Sequence, residues 1–157
     1  MLLLALALAE EPRRTRHLAF SAEYAVRPEA LWPWVTDPDK LSAWNAVDIS
    51  VVHPAEDGDP SGVGSVREVR VPVGPVHSRN RETVLESDAP HRFVYSVTKG
   101  GGLRYHRGVI ALEALDEGTR LSWDVSFSTR VPGMGLLVEA LLRPQFEEAL
   151  EALRAQL

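Results

Sequence analysis

The chain contains no cysteine. That removes disulfides, thiolate nucleophiles and zinc–thiolate centres, while leaving the redox compartment undetermined. A basic stripe is missing too: the formal net charge is -5 and the arginines are interspersed with Glu and Asp. Binding to a phosphate backbone is therefore not expected, and nucleic acid is set aside as a partner. No apolar run approaches the ~20 residues of a membrane span, so no integral span is expected. The five histidines, His17, His53, His77, His91 and His106, show neither HxH nor HxxxH spacing. With no acidic cluster to complete a site, neither metal nor other cofactor is expected. There is no GxSxG elbow, which excludes hydrolysis through that nucleophile. Lys99-Gly100-Gly101-Gly102 lacks the Lys-Ser/Thr of a phosphate loop and reads as a hairpin.

What is present fits one domain, since 157 residues match the usual domain size. Residues 1–15 read as an apolar segment and connector, and 16–157 as a single ligand-binding domain. Within the former, MLLLALALA (Met1–Ala9) ends on small residues as an export signal does but lacks its basic start. An ordered helix or strand against the domain, in a cytoplasmic protein, is the expectation, with an export signal as the alternative.

His17 to Val26 places Leu18, Phe20, Ala22, Tyr24 and Val26 on one face, the period of a half-buried strand. Pro28 opens a helix with Leu31, Trp32 and Val35 inward, and Pro33 is expected to kink or shorten it. Asp37-Pro38 caps and starts a second helix that returns Leu41 and Trp44 to the core. Five turn-forming breaks then separate six strands, near 46–54, 63–72, 76–87, 91–98, 103–114 and 119–129. Their short connections predict an antiparallel meander. From Pro132 to Gln156, Leu137, Val138, Leu141, Leu142, Phe146, Ala149, Leu150 and Leu153 form the apolar stripe of a long helix, which Pro144 is expected to interrupt and bend.

Several pieces of this order resemble one superfamily. Trp32, Asp37, Trp44 and Asn45 match the pattern VWxxxxDxxxxxxWN. Gly64-Ser65-Val66-Arg67, Arg81-Glu82, Phe93-Val94-Tyr95 and Gly118-Thr119-Arg120-Leu121-Ser122-Trp123 follow in sequence. Together they resemble the START-like (SRPBCC) superfamily and its polyketide cyclase/dehydrase branch, over about Arg16 to Leu157. The resemblance implies an α+β helix-grip fold: a seven-stranded antiparallel sheet wrapped around the C-terminal helix, with two short helices between strands 1 and 2. It also implies an apolar tunnel of ligand size. Relatives carry lipids, hormones, polyketides or protein partners, so the fold does not name the guest.

Strand parity indicates which side chains face that tunnel. Leu121, Trp123, Val125 and Phe127 share the apolar face of the last strand, and Ile110 with Leu112 places His106 on the corresponding face of the strand before it. Glu82 and Arg67 are likewise predicted inside, with Tyr95. The expected cavity residues are Trp34, Trp44, Asn45, Arg67, Tyr95, Ile110, Trp123, Phe127, Met134, Leu137 and Phe146, with Trp44-Asn45 at the mouth and Met134 and Leu137 at a lip. Burial penalises the charged forms of carboxyl and imidazole, so Glu82 and His106 are the candidate acid–base pair. The competing reading pairs Glu82 with Arg67 as a structural ion pair.

Three functions follow as expectations. The first is binding of a hydrophobic or aromatic small molecule in the cavity, as a polyketide cyclase-like or lipid-transport-like protein. The second adds cyclase/dehydratase chemistry by Glu82 and His106. The third is a protein-interaction module like the superfamily's chaperone-activator branch. Against the third, the outward Arg79, Arg81, Arg120 and Asp124 are charged and no large apolar patch is apparent. Homodimerisation through a sheet edge stays open.

Overall fold

The computed structural model describes Leu3 and residues 11–157. Apart from Leu3, the segment Met1–Ala9, on which the expectation of an ordered helix or strand rests, lies outside the described residues.

β1 (Arg16–Tyr24) buries Leu18, Phe20 and Tyr24 on alternate positions. α1 (Pro28–Thr36) buries Leu31 and Val35 and runs through Pro33 without a break. The expected shortening does not occur, because proline removes one helical bond, to the carbonyl of Glu29, and Glu29 is solvent-exposed. Asp37 then ends α1 and caps α2 (Pro38–Trp44), its carboxylate accepting the Asp39 backbone N–H at 2.9 Å. α2 returns Leu41 and Trp44 to the core.

Six strands follow: β2 (Asp48–His53), β3 (Val66–Val73), β4 (Val76–Asp88), β5 (Arg92–Gly100), β6 (Leu103–Leu115) and β7 (Gly118–Thr129). All pair antiparallel, in the order β1-β7-β6-β5-β4-β3-β2. β3 starts later than the turn signals indicate. Gly64, at φ 90°, donates its N–H to the Val84 carbonyl, and Ser65 accepts from the Val84 N–H, so these residues form a bend against β4. Irregularities between Arg81 and Glu82 and between Val84 and Glu86 bend β4.

α3 (Met134–Arg154) lies across the concave face. It is one helix through Pro144, contrary to the expected interruption; the carbonyl that proline leaves unpaired belongs to Ala140, which is exposed to water. Its final turns are held firmly: Ala149, Leu150 and Leu153 are buried, and the Tyr24 hydroxyl donates to the Leu150 carbonyl at 2.8 Å. Burial pushes the Tyr24 phenol up to about 12, which keeps this donor protonated. The first turns bury less, with Leu136, Leu137 and Leu141 exposed, although Gly135 lies against Arg16 on β1. An ion pair from Arg16 on β1 to Glu139 holds them in place over a space that side chains do not fill.

Candidate ligand-binding site

That space is a cavity of about 420 Å³. It is bounded by the inward faces of β3 to β7, by α1 and α2, and by the Val138–Phe146 side of α3. Aliphatic and aromatic groups make most of the wall, including Val69, Phe93, Ile110, Val125, Leu142 and Phe146. Polar groups are the minority in the wall, and Arg67, Glu82, Tyr95 and His106 are the titratable ones that meet at its inner end. This is the make-up of a small-molecule site: a concavity in the range of ~300–1,000 Å³, largely apolar, with a few placed polar atoms.

Arg67 and Glu82 are direct cross-strand neighbours on β3 and β4. Their guanidinium and carboxylate form a buried ion pair, and Arg67 is only 2% exposed. A second guanidinium nitrogen donates to the Thr36 carbonyl at 2.9 Å, at the C-terminal end of α1. That end of a helix carries partial negative charge, so the cation satisfies both a carboxylate and a helix terminus. The guanidinium also lies 5.2 Å from the centroid of the Phe93 ring. Its Nε has no hydrogen-bond partner among the described residues.

Tyr95 occupies the centre of the sheet. Its hydroxyl oxygen accepts the Trp123 indole N–H at 2.9 Å. Burial, reinforced by the nearby Glu82 charge, raises the phenol far above its ordinary range, so Tyr95 keeps its proton. The imidazole of His106 stands 5.5 Å from the Tyr95 ring, centroid to centroid. The Val97 backbone N–H donates to its Nδ1 at 3.2 Å, which assigns the proton of the neutral ring to Nε2. Burial lowers the imidazole pKa to about 4, so His106 is neutral at pH 7. No hydrogen bond joins Glu82 to His106 among the described residues.

Of the cavity residues expected from sequence, Asn45, Arg67, Tyr95, Ile110, Trp123, Phe127 and Phe146 lie in the wall, as do Glu82 and His106. Four do not, and the reasons are local. Trp44 is buried core: its indole N–H donates to the Trp34 carbonyl at 2.8 Å and its ring meets Trp123 edge-on at 6.2 Å, so it cannot stand at the mouth. Trp34 lies away from the wall with the Lys40 ammonium 4.7 Å over its ring. Leu137 is half-exposed, at the outer edge of the Val138, Leu141, Leu142 and Gln145 stripe that lines the space, one turn before Leu141. Met134 shares that stripe's phase but lies one turn before it and is exposed.

Some wall residues escaped the sequence reading. Val71 to His77, around the β3–β4 turn, and Leu141 form the wall at its exposed edge, and the Gln145 amide reaches the Pro72 carbonyl at 3.5 Å across it. Gly108 alternates with His106 and Ile110 on the inner face of β6, and what its lack of a side chain accomplishes depends on strand register.

The fold and this enclosed apolar space define a helix-grip protein with an internal ligand cavity. The chain belongs to the polyketide cyclase / dehydrase and lipid transport family, whose model matches residues 15–157. Similar solved structures include a START superfamily protein from Mycobacterium smegmatis, at 17% identity and TM-score 0.76, covering 89% of this chain and 95% of that one. A protein from Thermus thermophilus matches at 18% identity and TM-score 0.74, over 89% and 95% of the two chains. The Zhui aromatase/cyclase from Streptomyces sp. R1128 matches at 15% identity and TM-score 0.75, over 91% and 93%. At such identities the likeness concerns the fold alone. No match was found among curated proteins.

Proposed function

We propose that this protein binds an apolar or aromatic small molecule inside the cavity between the sheet and α3. The observation that carries the reading is the unfilled volume of about 420 Å³, walled mainly by aliphatic and aromatic groups around a few fixed polar atoms. A guest there exchanges water for apolar surface at ~25 cal/mol per Å², which supplies affinity without any charged contact. The family's lipid-transport and cyclase descriptions agree with such a guest.

A catalytic version of the same reading is cyclisation and dehydration of a folded keto chain. It draws support from His106, a neutral imidazole whose Nε2 proton is fixed by the Val97 contact, and from the aromatase/cyclase neighbour. Glu82 supports it less, because Arg67 engages its carboxylate in the ion pair that the competing reading of the sequence proposed. Binding without turnover is the better supported of the two.

Native mass spectrometry and thermal-shift titration with fatty acids, phospholipids and aromatic polyketides test the proposal. A one-to-one complex is expected, with stabilisation of about 2.7 kcal/mol at a hundredfold excess over Kd. Absence of any complex across these classes would reject the reading. Turnover of a β-keto substrate that survives in His106→Ala would reject the catalytic version.

A further inference from the structure

We propose that the mouth of the cavity docks on an anionic lipid surface, with the β3–β4 turn and the first half of α3 as the inserted rim and Arg79, Arg81 and Lys99 as the cationic contacts. Two independent observations point there. The first is the rim. Val73 and Val76 on the turn and Leu141 on α3 are wall residues of the cavity, yet they are 39%, 61% and 44% exposed. Leu137, one turn before Leu141 on the helix, is exposed as well. Apolar side chains thus collect at the place where the internal apolar space meets water, although the sequence had suggested no such patch. Isolated exposed leucines need no explanation, but a ring of them around an opening does.

The second observation is the charge behind the turn. Register sets Arg70 directly opposite Arg79, and Arg81 directly opposite Lys99, on the outer face of β3, β4 and β5. Like charges facing each other across a ladder are unfavourable, so this arrangement costs stability. Glu68, opposite Arg81, reaches Arg70 instead at 3.5 Å, and Asp48 lies 3.9 Å from Arg70. Arg79, Arg81 and Lys99 have no carboxylate partner among the described residues. A chain with formal net charge -5 has therefore gathered exposed, uncompensated cations at one end of the sheet.

The two features are spaced as a bilayer requires. Arg79 follows Val76 by three residues of extended chain, about 10 Å along the strand. Side chains of the turn at the acyl boundary put Arg79 in the headgroup layer, where a Lys or Arg gains about fivefold in affinity for anionic lipid. An acidic protein would satisfy the cations but leaves the apolar rim around the opening unexplained. A bilayer satisfies both, and it is the phase in which an apolar guest is stored. The purpose of docking, guest exchange, rests on the cavity reading; the docking itself does not.

Sedimentation with phosphatidylcholine vesicles, with and without phosphatidylserine, tests this on the full-length chain without ligand. Retention by the phosphatidylserine vesicles is expected, lost at high salt. The combined Arg79→Gln, Arg81→Gln and Lys99→Gln variant should weaken it roughly a hundredfold, and Val76→Ser about tenfold. Arg92→Gln, at the other end of the same strands, should leave it unchanged. These side chains are exposed, so circular dichroism should show intact folds. Equal retention on neutral vesicles, no retention on either, or indifference to both sets of substitutions overturns the proposal. So does capture of an acidic protein without vesicle binding. Failure here with intact guest binding rejects docking alone, whereas vesicle binding without a guest rejects only the cavity reading.

Discussion

Gly108 on β6 lies directly opposite Tyr95 on β5, and a Cβ at Gly108 would fall 2.2 Å from Tyr95 Cζ. The absent side chain is what lets the phenol ring cross the neighbouring strand and place its hydroxyl 2.9 Å from the Trp123 indole N–H. Gly108→Ala should therefore expel the ring from its place and break that bond. An overpacking cost of about 1–3 kcal/mol is expected in urea unfolding, with an altered Trp fluorescence spectrum. A spectrum and stability equal to those of the unmodified chain would refute this account of Gly108.

Breaking the Arg67–Glu82 pair from one side should be costly. Glu82→Gln leaves the Arg67 guanidinium buried without its anion, and about 3–5 kcal/mol of destabilisation is expected. Replacing both residues, with Arg67→Met and Glu82→Leu, should recover most of it, since a buried pair is often no better than an apolar one of equal volume. A double-mutant cycle by chemical denaturation reads the coupling directly. Loss of activity in Glu82→Gln alone would consequently say little about catalysis.

Stability should fall with acid through His106. The imidazole pKa is about 4 in the folded protein against an ordinary 6.5, so the unfolded chain binds the extra proton between those values. The stabilising contribution is complete above pH 6.5 and is lost as pH drops through 4, by about 3 kcal/mol in all. His106→Gln should flatten that part of the curve. An unchanged slope would place the titration elsewhere.

Filling the cavity should abolish binding without unfolding the protein. Leu142 is half-buried in the wall. Leu142→Trp adds volume to space already empty, so overpacking should cost under about 1.5 kcal/mol, while guest affinity drops by at least tenfold. Titration calorimetry beside a thermal melt separates the two effects. Undiminished affinity would locate the guest outside this cavity.

Most of the sheet was legible because alternation in an antiparallel meander is a local property. Parity alone put Glu82, Tyr95, His106 and Trp123 on one face, and short turns left one strand order that pairs neighbours. The cap at Asp37 was legible for the same reason: one side chain and two following amides decide it. From sequence Trp44 reads both as core and as part of the mouth, because which of the two it becomes depends on a residue far away in the chain, here Trp123. Pro33 and Pro144 do not interrupt their helices, since each removes a single bond and the residues it would have bonded, Glu29 and Ala140, are exposed. Nor could sequence show that Arg79 and Lys99 would end with no counter-ion, since that is set by register.

The unequal attachment of α3 has an effect on what the protein can discriminate. One wall of the chamber is a set of paired strands, β3 to β7, each hydrogen-bonded to its neighbours. The opposing wall is a beam fastened at its far end through Ala149, Leu150 and Leu153, with one ionic tether from Arg16 near its free end. For the guest proposed above, bulk added towards the sheet would meet paired strands and bulk added towards the helix would meet its less buried turns, so related molecules would be sorted mainly by their outline on one side.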